Sequence, residues 1–527
     1  MKKILYIPLM IVAFSLLTTS CFKDLDTVPI DKDEVTAASV YENPESYIQV
    51  LAKLYAGLAV SGQTGPSGNP DISGIDEGFG QYLRGLWYMQ ELTTDEAVIS
   101  WNDQTIKDLH YQTWGASDVF ITAFYYRIMY QVSLCNEFIR ETTDSKLDGR
   151  GISGDIRTDI GFFRAEARFL RALSYWHALD HFGNVPFVTE LDQVGAFFPQ
   201  QIQRADLFDY IESELLAIED LLVDARQNDY GRADKAAVWM LLAKLYLNAG
   251  VYTGVQKYTE CLTYCNKIID AGYSLVPEYQ DLFLADNAFS NEVIFAVNFD
   301  GLNTRTWGGT TFIIHAQVGG TMDPAAFGID GGWGGTRTTS AFVAKFDDIT
   351  GATDSRAMFH TDGQNLEIED IGSFNDGYAL TKFKNVDKAG APGSHQVHTD
   401  TDFPMFRLAD VYLMYAEAVL RNGTGGDIGT ALGYVNDLRL RAYGDNSGDV
   451  AQINLDFILD ERARELYWEG HRRSDLIRYG RFTGSEYLWP WKGKVKEGFG
   501  TDAKYNLFPI PAADLTANLN LVQNPGY

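Results

Sequence analysis

Two stretches of the chain, KAAVWMLLAKLYLNAG at 235–250 and LADVYLMYAEAVLRNG at 408–423, align without a gap. They share Ala236/Ala409, Val238/Val411, Ala243/Ala416, Leu247/Leu420 and Gly250/Gly423, and Trp239 is matched by Tyr412. Each is followed, after a short polar turn, by another amphipathic segment, 256–271 in the first copy and 428–441 in the second. Small residues at close-contact positions, large ones between them, a glycine to cap the helix and then a return helix make the pattern of a tetratricopeptide-like pair. One such pair cannot bury its apolar face alone, so pairs must stack. The repeat therefore predicts a mainly α fold: a scaffold of helical pairs with few short strands.

Further helices are predicted over 44–60, 120–141, 160–182, 206–225 and 455–479, the third stopped by Gly183 and Pro186. The best strand candidate is NEVIFAVNFD at 291–300. The scaffold is expected over about 33–284 and 405–482 of a single domain running from 21 to 527, with a loop-rich insertion at about 285–404 and a tail, 483–527, wrapping over the helices.

Inside that insertion, residues 301–337 read GLNTRTWGGTTFIIHAQVGGTMDPAAFGIDGGWGGTR. A connection this long without regular structure is either disordered or functional. Disordered segments are poor in aromatics, whereas Trp307, Phe312, Phe327 and Trp333 punctuate this one. The expectation is a surface platform displaying flat rings, its glycines letting the backbone bend. Trp101 also lies in loop-like, polar surroundings. Flat rings with arginine and amide groups at their edge suit neutral sugars, which offer an apolar ring face fringed by hydroxyls. The residues alone equally allow rings that cap the core beneath long loops.

Other chemistry is poorly represented. A formal charge of -28 makes nucleic acid an unsuitable partner. His177 and His181 have i, i+4 spacing, but Ala178 stands where a metalloprotease helix needs its glutamate. Glu461, Glu465 and Glu469 could be arranged as a glycosidase acid and base, yet the neighbouring Arg462, Arg464, Arg472 and Arg473 favour intrahelical ion pairs. Residues 1–20 combine Lys2 and Lys3 with a short apolar run, the build of a secretory signal, and Cys21 stands where a bacterial lipoprotein signal is cleaved and lipidated, although Thr18 replaces the usual leucine. Cys135, Cys261 and Cys265 imply no disulfide framework and read as buried small hydrophobes.

The leader CFKDLDTVP together with QELTTDEAV, AEARFLRALSYW, FGNVPF, GRADKAA, FRLADVYLMYAEA, ERARELYWEGHRRSDLIRYGRF, FPIP and QNPGY resembles the SusD/RagB family. The likeness runs from Cys21 to Tyr527 and is nearest to the family's starch-binding prototype. It implies a surface glycan-binding lipoprotein of Bacteroidetes, anchored to the outer membrane, without catalytic activity or a required cofactor, whose partner is a SusC-like TonB-dependent transporter. It further implies an arc of three aromatics at Trp101, Trp307 and Trp333, with polar contacts from Arg84 and Gln104. The prototype has Tyr where Trp307 stands and Asn where Gln104 stands. It also implies a structural calcium near Asp281, Asp286 and Asn287. Alternatives are the same role for another polysaccharide or a host glycan, a lid whose glycan contacts are secondary, and a glycoside hydrolase.

Overall fold

The computed structural model describes residues 37–527 apart from 193 and 196. The leader and Cys21 lie outside the described residues. The chain divides into two units, Met1–Tyr47 and Ile48–Tyr527, and the insertion and the helical scaffold from residue 48 onward belong to the second.

The elements that matter for the site are, in chain order, α1 (Ser46–Ala59), α2 (Tyr82–Gln90), β1 (Val98–Ile99), α3 (Gln104–Tyr111), α4 (Val119–Glu141), α5 (Asp155–His181), α6 (Arg204–Ile218), α7 (Lys235–Leu247), α8 (Tyr258–Asp270), β2 (Val293–Val297), α9 (Gly309–Gln317), β3 (Thr336–Arg337), β4 (Phe403–Arg407), α10 (Leu408–Leu420), α11 (Ile428–Tyr443), α12 (Leu455–Leu466) and α13 (Arg472–Arg478). Helices α4, α5 and α6 pack in succession, and α7, α8, α10 and α11 form a second run in which α8 bridges the two repeat copies. The mainly α architecture expected from the repeat is the one observed. Strands are short and paired in twos, with β2 joined antiparallel to β4 across the insertion.

Local chemistry explains most boundaries. Asp118 caps α4 by accepting from the Phe120 and Ile121 N–H groups, and Asp234 caps α7 through Ala236 and Ala237. Gly250 is not the cap predicted for the first repeat: it lies in a short helix, Ala249–Thr253, and Gly254 takes the left-handed conformation at φ 78°. In the second copy Asn422 adopts φ 66°. Gly423 serves contact instead, since a Cβ there would come 2.8 Å from the Tyr258 carbonyl oxygen on α8. Cys135, Cys261 and Cys265 are buried and unbridged, as small hydrophobes should be.

Three other expectations need correction. The helix predicted over 455–479 is broken into α12 and α13, with Trp468 at φ 64° between them. Its glutamates pair mostly with distant elements: Glu465 meets Arg356, Arg407 and Arg441, and Glu469 meets Arg407 and Lys382. Only Arg464–Glu461 is an intrahelical pair from the predicted set. The tail, expected to wrap over the scaffold rather than form new elements, has a short helix of its own, Ala512–Ala517. Finally, the glycine-rich stretch is not structureless, because α9 occupies its centre and is buried along its whole length.

Candidate functional site

Helix α9 organises the site. Its sequence, GTTFIIHAQ, is buried along its whole length, and its polar Thr310, Thr311, His315 and Gln317 are each hydrogen-bonded to the surrounding chain. Past its C-terminus the chain returns, and the N–H groups of Trp333, Gly334 and Gly335 donate to the carbonyls of His315, Val318 and Ala316 at 2.7, 2.8 and 2.8 Å. Carbonyls of a last helical turn have no intrahelical donors, so here they hold the Trp333 strand. That strand continues into β3, which pairs antiparallel with β1, Val98 opposite Arg337 and Ile99 opposite Thr336. Ser100 extends the pairing, its N–H donating to Gly335 O (3.0 Å) and its hydroxyl to Gly334 O (2.7 Å). Trp101 and Trp333, 232 positions apart, are thereby brought side by side, and the Trp101 indole N–H donates to Trp333 O at 3.3 Å.

The third tryptophan stands just before α9. Trp307 is half-buried, as are Trp101 and Trp333. Trp333 sits between the others, with ring centroids 6.2 Å from Trp101 and 6.2 Å from Trp307 and planes turned by 47° and 54°. The three predicted rings therefore form one cluster with Trp333 at its centre. Phe312 and Phe327, named with them in the sequence, are buried. Phe312 lies beneath the cluster, 6.1 Å from the Trp101 ring.

Arg84 is the only residue of α2 that is not buried. Its Nε donates to the Tyr88 hydroxyl (2.9 Å) and its Nη1 to the Trp307 carbonyl (2.7 Å). The guanidinium carbon lies 4.4 Å from the Phe312 centroid and 5.8 Å from that of Trp101. Arg84 thus ties α2 to Trp307, and its Nη2 has no hydrogen-bond partner among the described residues. Gln104 opens α3 and is exposed, with its amide nitrogen 2.9 Å from Asp108 Oδ1.

Sequence reasoning missed the histidines behind the rings. His315 stacks on Trp333 (4.9 Å, 20°), and His398 lies 4.9 Å from Trp307. Burial lowers both imidazoles from their ordinary range, which disfavours charge behind the rings. The sequence carried no signal for either, since His315 lies in a stretch that reads as loop and His398 stands among polar loop residues.

Glycine's role is mainly close approach. A Cβ on Gly335 would fall 2.7–2.9 Å from three atoms of the Trp101 indole, and one on Gly332 would fall 2.1 Å from the Val318 carbonyl oxygen. Backbone bending is needed at Gly309 and Gly334, both at φ 55°.

The remaining candidates fall elsewhere. His177 and His181 are buried in α5, where His177 Nδ1 faces the Tyr82 hydroxyl at 2.8 Å and His181 Nδ1 faces the His177 carbonyl at 2.8 Å. Glu461 is buried among Arg356, Arg439 and Arg464, which overcome the effect of burial and hold its carboxyl well below the usual range. In the stretch named for calcium, Lys388 Nζ lies 3.2 Å from Asp281 Oδ2 and its N–H donates to Asp286 at 3.2 Å. The Asn287 amide is committed to Leu282 O, Asp402 O and the Asp402 N–H. Calcium requires six or more oxygen ligands; with an ammonium already on one carboxylate and Asn287 turned to the backbone, the three residues do not form a cradle for it in this arrangement.

A profile of the SusD family, SusD_RagB, matches residues 366–527. The starch-binding protein SusD of Bacteroides thetaiotaomicron is 36% identical over an alignment covering 97% of this chain and 96% of that one. Among solved structures, a SusD superfamily protein of Bacteroides thetaiotaomicron superposes with a TM-score of 0.70 at 21% identity, over 92% of this chain and all of that one. Surface glycan-binding protein A of the same organism, in complex with laminarihexaose, gives 0.69 at 21% identity, over 91% and 99%.

Proposed function

Because the chain belongs to the SusD family, we propose that it is a cell-surface binding protein for starch and malto-oligosaccharides that passes them to a TonB-dependent outer-membrane transporter. The observation that carries the glycan reading is the cluster itself: three half-exposed tryptophans in contact, each plane turned about 50° from the next. A ligand touching all three faces must bend, and a curved α-glucan offers successive apolar ring faces that do so. The spare Nη2 of Arg84 and the exposed amide of Gln104 supply hydroxyl contacts at the rim. The starch specificity is suggested by the 36% identity to a starch-binding relative.

Catalysis is not part of this reading. Glycoside hydrolysis needs one carboxyl kept protonated and within reach of the scissile bond. Although burial opposes it, arginines hold Glu461 and Glu465 low, Glu465 at about 2. Glu91 is raised to about 7 by burial but is closed off from solvent. Purified protein should release no reducing sugar from starch.

Anchoring through Cys21, exposure on the outer membrane and pairing with a SusC-like transporter complete the proposal. No helix among the described residues is long and apolar enough to cross a membrane. A structural calcium at Asp281 and Asp286 enters the proposal only with Lys388 displaced. The deciding experiment is an affinity-gel screen of the protein against amylopectin, glycogen, inulin and xylan: retardation by the α-glucans alone supports the reading, and retardation by none of them refutes it.

A further inference from the structure

Away from the tryptophans, the loop after α6, the residue three positions past α8 and the segment before β2 enclose a cavity of about 370 Å³. Its lining includes Arg226, Asp229, Tyr230, Tyr273, Phe289 and Asn291, and it shares no residue with the tryptophan cluster. Phe289 is 79% exposed. It also holds φ 60°, a conformation in which a bulky residue is a true outlier. Arg226, across the cavity, holds φ 64°. Left-handed non-glycine residues persist where the surroundings impose them, and they concentrate at binding sites.

The rings are arranged as a wall with a polar edge. Phe289 and Tyr230 lie 4.9 Å apart with planes turned 39°, and Tyr230 is fixed from behind by a 2.9 Å hydrogen bond from its hydroxyl to Asp402. The Arg226 guanidinium covers Tyr273 at 5.5 Å and is itself held by Gly272 O (2.6 Å) and Asn291 Oδ1 (3.2 Å). That leaves Asn291 Nδ2 and Asp229 Oδ1 without protein hydrogen-bond partners among the described residues, a donor and an acceptor beside an exposed ring face. A protein-docking knob would ask for a dry apolar surround. A ring face edged by amide and guanidinium groups is instead the chemistry that the tryptophan cluster offers on a larger scale.

We propose that the Phe289 cavity is a second carbohydrate site, taking one or two neutral hexose units of a glucan with Phe289 as the stacking face and Asn291, Asp229 and Arg226 at the hydroxyl edge. The ligand class rests on the glycan reading of the protein, but the site itself does not depend on the tryptophans. Two sites on one chain raise retention of a long polymer far more than that of a short oligomer, because the second contact is intramolecular.

The test is glycogen retardation in native gels for wild type, Phe289→Ala, Phe289→Gly and the triple variant Trp101→Ala/Trp307→Ala/Trp333→Ala, with and without Phe289→Ala. Phe289→Gly removes the ring at a position glycine tolerates, so it should keep or raise Tm while weakening glycogen retention several-fold. Residual retention in the triple variant should vanish when Phe289→Ala is added. Retention unchanged by both Phe289 variants in the wild-type background and by Phe289→Ala in the triple background overturns the second site and leaves the tryptophan cluster standing. Retention lost only through Phe289, and untouched by the tryptophans, overturns the cluster and leaves this site.

Discussion

Gly335→Ala is the smallest change that probes the tryptophan cluster, because it adds one methyl group under Trp101 and alters nothing that would touch sugar directly. The new Cβ would stand 2.7, 2.8 and 2.9 Å from Trp101 Cε2, Cζ2 and Nε1. Carbon pairs pack at roughly 3.5–4.0 Å, so the ring must move by about 1 Å. Trp101 is half-exposed and can tilt toward solvent, which places the stability cost near the low end of the roughly 1–3 kcal/mol typical of overpacking. The functional cost should be the loss of one stacking contact, about 1 kcal/mol, which is roughly fivefold in Kd. Titration calorimetry with maltoheptaose would show Gly335→Ala and Trp101→Ala weakened to a similar degree. The double variant should bind no worse than Trp101→Ala alone, since the methyl has no ring left to displace. A folded Gly335→Ala protein that binds as wild type, or a double variant whose losses add, would refute the argument that this glycine exists to seat Trp101.

Other expectations arise from the buried charges. Arg407 pairs with Glu292, Glu465 and Glu469 at 2.9, 2.7 and 2.6 Å, so Arg407→Ala should cost about 3–5 kcal/mol in urea unfolding by stranding buried carboxylates. Burial raises Glu91 from 4.5 to about 7. The folded chain therefore binds its proton more tightly than the unfolded chain does, and this stabilisation is complete below pH 4.5 and lost as pH rises through 7. Glu91→Gln should accordingly raise Tm at pH 8 and change it little at pH 4.5; an equal effect at both would contradict the shift. With Lys388 on Asp281, added calcium should leave the wild-type Tm unchanged. A rise reversed by EGTA would show the ammonium displaced.

Much of the fold was legible because helix pairing writes itself as periodicity. The repeat predicted α7, α8, α10 and α11 to within a few residues. The break between α12 and α13 was not, because its one sequence mark is a lone glycine, Gly470 (φ 83°), which a helical pattern tolerates, and the helical pattern resumes beyond it. What ends the helix comes from far along the chain: the Trp468 indole N–H donates to Glu96 O at 3.1 Å, and Glu91 accepts from the N–H groups of Gly470 and His471. The site divides in the same way. The aromatic spacing and the family resemblance named all three tryptophans, and the structure brings them into contact. Composition could not show that α9 lies inside the glycine-rich stretch, since its nine residues are bracketed by glycines on both sides and would read as one more piece of loop. Nor could it find His315 and His398, whose position behind the rings depends on contacts across the insertion.

The central claim is that a bent α-glucan lies across Trp101, Trp333 and Trp307, and it is tested most directly by calorimetric titration of wild type and Trp333→Ala with maltotriose, maltoheptaose and xylan-derived oligosaccharides. The account predicts weak binding that strengthens from maltotriose to maltoheptaose, no heat with the xylan fragments, and a loss of about tenfold, roughly 1.4 kcal/mol, when the central ring is removed. No heat with either α-glucan, or maltoheptaose binding by Trp333→Ala equal to wild type, would contradict it.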